Sequence, residues 1–163
     1  MRDLKLYIAM SLNGKIAQTD GSVDWLENIP NPDKSDYGYK EFYKSVDTTI
    51  QGYNTYKQIL DWGIAFPYAD KKNYVLTNKE NPSPDKNVEF ITKNHLEFIK
   101  SLKKQEGGDI WLIGGGQINT LLLNEKLIDS IQVFVMPIIL SGGIELFEDL
   151  PLETVLRLNE CKT

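Results

Sequence analysis

Ile110-Trp111-Leu112-Ile113-Gly114-Gly115-Gly116-Gln117-Ile118-Asn119 is the stretch on which the fold turns. Its first four residues form an unbroken apolar run, the mark of a strand buried on both faces of a sheet. Ile118, Leu121 and Leu122 then point one way at helical spacing, so a helix follows at once. Three glycines stand at the junction. They remove the Cβ atoms that keep a ligand off the backbone, and free N–H groups at the helix start form an anion site. A diphosphate is the natural guest. The competing reading is a tight turn that needs glycine for packing alone. Two familiar phosphate motifs do not match. The dinucleotide fingerprint meets Asn119 where its third glycine belongs, and no Gly-Lys-Ser/Thr follows for a Walker loop.

The rest of the chain repeats the strand-then-helix rhythm. Leu4–Met10 is a short apolar run stopped by Ser11 and Asn13-Gly14, and the irregular segment Asn13 to Ser35 follows. Tyr39, Phe42, Tyr43 and Val46 form the stripe of an amphipathic helix. Thr48-Thr49-Ile50-Gln51 reads as a strand ending at Gly52, before a helix marked by Tyr56, Ile59 and Leu60. Strands are expected at Asn73–Thr77, Val88–Thr92 and Ser130–Met136. Asn94 and Glu97 make a capping-box pair for a helix between the last two. Alternating strands and helices predict an α/β fold, a mostly parallel central sheet with helices on both faces.

Composition narrows the chemistry. The chain has 163 residues, enough for one domain that hides roughly 70% of its unfolded surface. We therefore expect residues 1–163 to form a single domain. Its 18 basic and 23 acidic residues give a net charge of −5, and no basic stripe advertises nucleic acid. No stretch approaches a membrane span and no signal peptide opens the chain, so a cytoplasmic protein is expected. One cysteine, Cys161, excludes an internal disulfide framework, and one histidine, His95, makes a His-centred triad or metal site improbable. His95 reads as an exposed residue at a helix start.

The remaining candidates lie near strand ends, where open α/β sheets collect ligands. Thr55, in the first turn after Gly52, can hold phosphate or simply cap its helix. Thr77-Asn78 can add polar contacts. Asp36 opens the helix of Tyr39, Phe42 and Tyr43. It is either an acid placed against the helix dipole or a partly buried carboxylate, its pKa raised by aromatics, that anchors a nitrogen heterocycle. Trp25 is either an aromatic wall or a core anchor.

The ordered segments together carry a resemblance. They are Ile8-Ala9-Met10-Ser11-Leu12-Asn13-Gly14-Lys15-Ile16-Ala17, Gly21-Ser22-Val23-Asp24-Trp25-Leu26, Asp36-Tyr37-Gly38, Gly52-x-x-Thr55-Tyr56, Phe66-Pro67-Tyr68 and Tyr74-Val75-Leu76-Thr77. The triple glycine, Leu127-Ile128-Asp129 and Val135-Met136-Pro137-Ile138-Ile139-Leu140-Ser141-Gly142-Gly143-Ile144 complete the set. The chain resembles the dihydrofolate reductase superfamily, most closely stand-alone relatives of the reductase domain in bifunctional riboflavin-biosynthesis deaminase-reductases. The likeness runs over nearly the whole length.

That resemblance implies a three-layer fold and hydride transfer from NADPH to a ribosylaminopyrimidine or dihydrofolate. The alternative is a nucleotide-binding protein that keeps the fold without the chemistry. By the same resemblance, Gly114, Gly115, Gly116 and Gln117 would cradle the diphosphate, and Thr55 with the helix start after Gly52 would hold phosphate. Thr77 and Asn78 would border the adenosine. Ala9 would line the nicotinamide site, and Trp25 and Asp36 would meet the substrate, with Asp36 fixing the heterocycle and supporting its protonation. A homodimer is expected too. Tyr53 stands where arginine commonly grips a ribose 2′-phosphate, which admits NADH as well. Asn13 replaces a familiar carboxylate, and relatives usually continue past the equivalent of Thr163 into another strand. A deaminase zinc motif cannot be built from one His and one Cys.

Overall fold

The computed structural model describes residues 1–162. Six strands form one sheet: β1 (Leu4–Ser11), β3 (Val46–Gly52), β4 (Lys72–Leu76), β5 (Glu89–Ile91), β6 (Asp109–Gly114) and β7 (Ser130–Met136). Their order is β5-β4-β3-β6-β1-β7, and every neighbouring pair is parallel. Two short strands, β2 (Lys15–Ala17) and β8 (Ile144–Glu145), pair antiparallel beside it. The helices are α1 (Tyr39–Ser45), α2 (Tyr53–Asp61), α3 (His95–Lys104) and α4 (Gly116–Asn124), with a 3-10 turn at Asp24–Leu26.

Strand alternation divides the interior into two layers. Leu4, Leu6, Ile50, Ile110 and Leu112 face one side, where Ile99 and Leu102 of α3 and Leu122 of α4 cover them. Trp111 faces the other, packed with Val46, Ile59 of α2 and Tyr68, and with Tyr39, Phe42 and Tyr43 of α1. Hence the three-layer α/β architecture expected from the sequence is the one found.

Several local expectations change. Val46 completes the helical stripe on paper, but α1 stops at Ser45 and Val46 opens β3. It is buried either way, so periodicity alone could not place the boundary. Asn94 precedes α3 in a left-handed conformation (φ 53°) and makes no side-chain cap, so the capping box does not form. His95 is half-buried, and its Nε2 lies 2.9 Å from the Ile91 carbonyl and 3.2 Å from that of Thr77. Two carbonyl partners require the proton on Nε2. The segment Asn13 to Ser35 contains β2 and the 3-10 turn, which its irregular pattern concealed.

At the amino-terminal edge, Arg2 is 6% exposed. Its guanidinium pairs with Asp47 and donates to the Gly108 carbonyl (2.6 Å) and Thr48 Oγ1 (2.7 Å). Asp47 also accepts the Gly108 N–H at 2.7 Å. One residue therefore ties the chain start to the roots of β3 and β6. Arg2→Ala should cost about 2–4 kcal/mol, since it strands a partly buried carboxylate and a carbonyl. Thermal denaturation should show a melting temperature lower by roughly 5–15 °C.

Candidate active site

β3 and β6 are neighbours, with Gln51 opposite Gly114. Their onward connections diverge: α2 leads to β4 on one side, and α4 leads to β7, beyond β1, on the other. Such divergence makes a topological switch point and opens a crevice at the carboxyl edge of the sheet. Both helices begin there. Gly52 precedes α2 and Gly115 precedes α4, and neither helix has a side-chain N-cap. The first-turn N–H groups lack intrahelical partners, the setting of an anion site; at α4 the Glu148 carboxylate already accepts the Gln117 N–H.

The glycines at this crevice have different tasks. Gly114 sits at φ +119°, which side-chain-bearing residues rarely adopt, and the Gly114–Gly115 peptide is cis. A Cβ on Gly115 would lie 3.3 Å from Thr55 Oγ1, so it would project into the gap between the two turns. Elsewhere glycine serves close packing. A Cβ on Gly52 would come 3.1 Å from Ile118 Cγ1, and one on Gly116 would strike the Glu145 carbonyl and approach Glu148 Cγ to 2.6 Å. Close packing thus accounts for glycine at 52 and 116, while Gly115 borders open space between the two turns.

Leu76 lies opposite Gly52, so Thr77 and Asn78 flank the start of α2. Thr77 is buried and its Oγ1 accepts the Lys79 N–H at 3.0 Å, whereas Asn78 is exposed. Gln117 is exposed on the first turn of α4. Buried polar atoms also adjoin the crevice. Both amide atoms of Gln51 and Oδ1 of Asn119 have no partner among the described residues. The glycine-lined gap, the two uncapped helix starts and these amides fit a dinucleotide diphosphate.

A strap formed by residues 144–152 runs along α4. Asn119 Nδ2 donates to the Leu146 carbonyl (2.9 Å), and Thr120 Oγ1 donates to that of Glu148 (2.5 Å). Burial pushes the Glu148 carboxyl above its ordinary value and the Asp149 charge adds to this. The Gln117 N–H opposes both, Glu145 adds again, and Lys15 opposes.

An aromatic cavity adjoins the crevice through β1. Ile8 Cδ1 lies 3.6 Å from the Cβ position of Gly114, and Ala9, the next residue, lines the cavity. Its volume is about 260 Å³, and its walls include Tyr7, Tyr37, Tyr39, Phe134 and Met136. Tyr7 stacks on Phe42 with ring centroids 4.1 Å apart, and its hydroxyl donates to the Tyr37 carbonyl at 3.2 Å. Burial, the Asp36 charge and Tyr39 push the Tyr7 phenol up to about 12, so it stays protonated. Sequence reading did not single out Tyr7, although it shares a face of β1 with Ala9 two residues on.

Asp36 lines this cavity but does not have the buried setting proposed for it. Its side chain is exposed, and it accepts the N–H groups of Gly38 (3.1 Å) and Lys40 (3.2 Å). Those bonds, Gly38 first, hold the carboxyl below its ordinary value. The expected rise in its pKa is therefore reversed: a carboxylate at the mouth of a loop finds backbone donors before it finds an aromatic wall. Trp25 is 3% exposed and absent from the cavity lining, where Leu26 and Ile29 of the same segment stand instead.

The parallel sheet with its switch-point crevice defines an α/β protein of dihydrofolate-reductase-like fold. More narrowly, residues 2–163 match the RibD C-terminal domain, and the chain belongs to that family. It is 40% identical over 161 residues to the protein YwjB of Bacillus subtilis, covering 99% of this chain and 91% of that one. A putative riboflavin biosynthesis protein from Shewanella sp. PV-4 superposes with a TM-score of 0.81 at 31% identity, over 97% of this chain and 90% of that. Two further structures share the fold at 18% identity and TM-score 0.66. One is Enterococcus faecalis dihydrofolate reductase complexed with NADP(H), over 90% of this chain and 77% of that one. The other is the Thermotoga maritima diaminohydroxyphosphoribosylaminopyrimidine deaminase/5-amino-6-(5-phosphoribosylamino)uracil reductase, over 94% of this chain and 51% of that one.

Substitutions separate the glycine tasks. Gly115→Ala should change stability by less than about 1 kcal/mol yet weaken NADPH binding at least tenfold, because its methyl enters the cradle. Gly116→Ala should lower stability by about 1–3 kcal/mol through displacement of the strap. Denaturation and fluorescence titration distinguish the two.

Glu148 supplies a pH test. A carboxyl raised in the folded state favours folding fully below its unfolded value, and that contribution is lost as pH rises through the folded one. Glu148→Gln should therefore raise the melting temperature at pH 7, by roughly 1–3 °C, and leave it unchanged near pH 4.

Proposed function

We propose that the protein is an NADPH-dependent reductase that delivers hydride to a small nitrogen heterocycle of the ribosylaminopyrimidine or pteridine class. The observation that carries this reading is that consecutive residues of β1 meet the two features, Ile8 lying against Gly114 of the crevice and Ala9 lining the aromatic cavity. A reduced nicotinamide dinucleotide supplies the hydride when bound. Its diphosphate would be held by the first turns of α2 and α4, with Thr55 and Gly115 side by side at its edge. Ala9 has no side chain large enough to bar a nicotinamide ring from the cavity.

The protein's own residues then orient and shield. Tyr7, Tyr39 and Phe134 present flat apolar walls to a heterocycle and exclude water from the reacting carbon. Asp36, anionic at neutral pH, accepts N–H groups of the heterocycle and sets which edge faces inward. As hydride reaches the carbon of a C=N bond, the nitrogen gains a proton from solvent at the cavity mouth. Asp36 is not its source, because two backbone N–H groups already favour its charged form.

Lys79 supports the phosphorylated cofactor. Its Nζ donates to the Tyr53 hydroxyl at 3.2 Å and stands 5.2 Å from that ring's centroid. It therefore brings a cation to the place where Tyr53 replaces the usual arginine.

Nicotinamide fluorescence should report saturable NADPH binding, and NADPH oxidation should require an added aminopyrimidine or dihydropteridine. Lys79→Ala should weaken NADPH roughly 3- to 10-fold while leaving NADH unchanged. Asp36→Asn should lower kcat/KM at least tenfold with cofactor affinity intact, and the wild-type profile should lack a carboxyl titration near pH 6. Failure to bind either cofactor would exclude the enzyme.

A further inference from the structure

We infer that the heterocycle accepted by the aromatic cavity carries no phosphate group. This rests on the reductase reading and sharpens it. The phosphoribosylated uracil named for the Thermotoga maritima protein would then be a poor ligand here.

Phosphate recognition needs a cation or a set of free backbone N–H groups. Among the described residues that line the cavity there is no Lys, Arg or His. Their one formal charge is negative, on Asp36. Backbone donors are not free either. The turn leading into α1 offers the N–H groups of Gly38 and Lys40, and Asp36 itself accepts both. The feature that would have bound an anion is therefore filled by the chain's own anion.

Two lysines flank Asp36 in sequence, Lys34 and Lys40, both exposed and outside the lining; Lys40 is the one whose charge acts on Asp36. Its ammonium is thus set against a carboxylate that is already present. Tyr7 and Tyr39 add hydroxyls to this side of the pocket, and Tyr7 spends its proton on the Tyr37 carbonyl.

Size points the same way. A volume of about 260 Å³ is below the roughly 300–1,000 Å³ of sites that bury a drug-sized ligand. One or two fused rings fill it. A phosphoribosyl chain would have to leave by the mouth, past Asp36. A dianion held about 6 Å from that carboxylate in water is disfavoured by up to roughly tenfold.

The test uses the full chain saturated with NADPH. 5-Amino-6-ribosylaminouracil and its 5′-phosphate are compared by calorimetric titration, after NADPH binding has been measured separately. We expect the unphosphorylated compound to bind roughly 3- to 10-fold more tightly. In Asp36→Asn the ratio should fall toward one, whatever the loss in absolute affinity, because the repelling charge is gone. Tighter binding of the phosphate form by the wild type would overturn the inference and leave the reductase reading standing. Preference for the unphosphorylated form that persists unchanged in Asp36→Asn would overturn the charge argument. Absence of binding by NADPH itself would overturn the reading beneath both.

Discussion

The pairing of β3 with β6 is the constraint from which the site follows. Gln51 opposite Gly114 brings two strand ends together whose helices must depart in opposite directions. A helix cannot occupy the space directly above a switch point, so the carboxyl edge opens there. The two helix starts then lie close together, and first-turn N–H groups other than that of Gln117, which Glu148 accepts, supply positive partial charge without basic side chains. That explains how a chain of net charge −5 can offer an anion site. Backbone supplies what side chains do not.

Charge is divided along the edge. The crevice presents helix starts and glycines with Glu148 at the α4 end, whereas the cavity presents aromatic rings and the Asp36 carboxylate. An anionic cofactor and a hydrogen-bond-donating heterocycle would be sorted into their places by this contrast alone. The strap of residues 144–152 reinforces it. Hydrogen bonds to Asn119 and Thr120 hold the strap against α4, while β8 within it pairs with β2 on the loop that follows β1. Cradle and loop are thereby built into one frame.

What could be read from sequence was what side-chain pattern determines. Ile110–Ile113, the triple glycine and Ile118 announce strand, turn and helix without needing distant partners. The ends of β1, β3 and β7 were equally legible, since apolar runs stop where Gly or Pro intervenes. Of the candidate site, what could be read was where glycine or Thr marks a helix start, as at Gly52, Thr55 and Gly115. Legibility failed where long-range partners decide. Nothing local shows that Asp36 will find the N–H groups of Gly38 and Lys40, or that Trp25 will turn inward and leave the wall to Leu26 and Ile29. His95 reads as surface until the carbonyls of Thr77 and Ile91 close on it. β2 and β8 are stretches of three and two residues that become strands only through each other.

The central claim is that one dinucleotide spans the starts of α2 and α4. Backbone amide NMR during NADPH titration tests it most directly, because the proposed contacts are N–H groups. The account predicts large, saturable shifts confined first to the amides of Tyr53–Tyr56 and Gly115–Ile118, with smaller ones at Ala9. Shifts that leave both helix starts unmoved, or that fall on one helix and not the other, would contradict it.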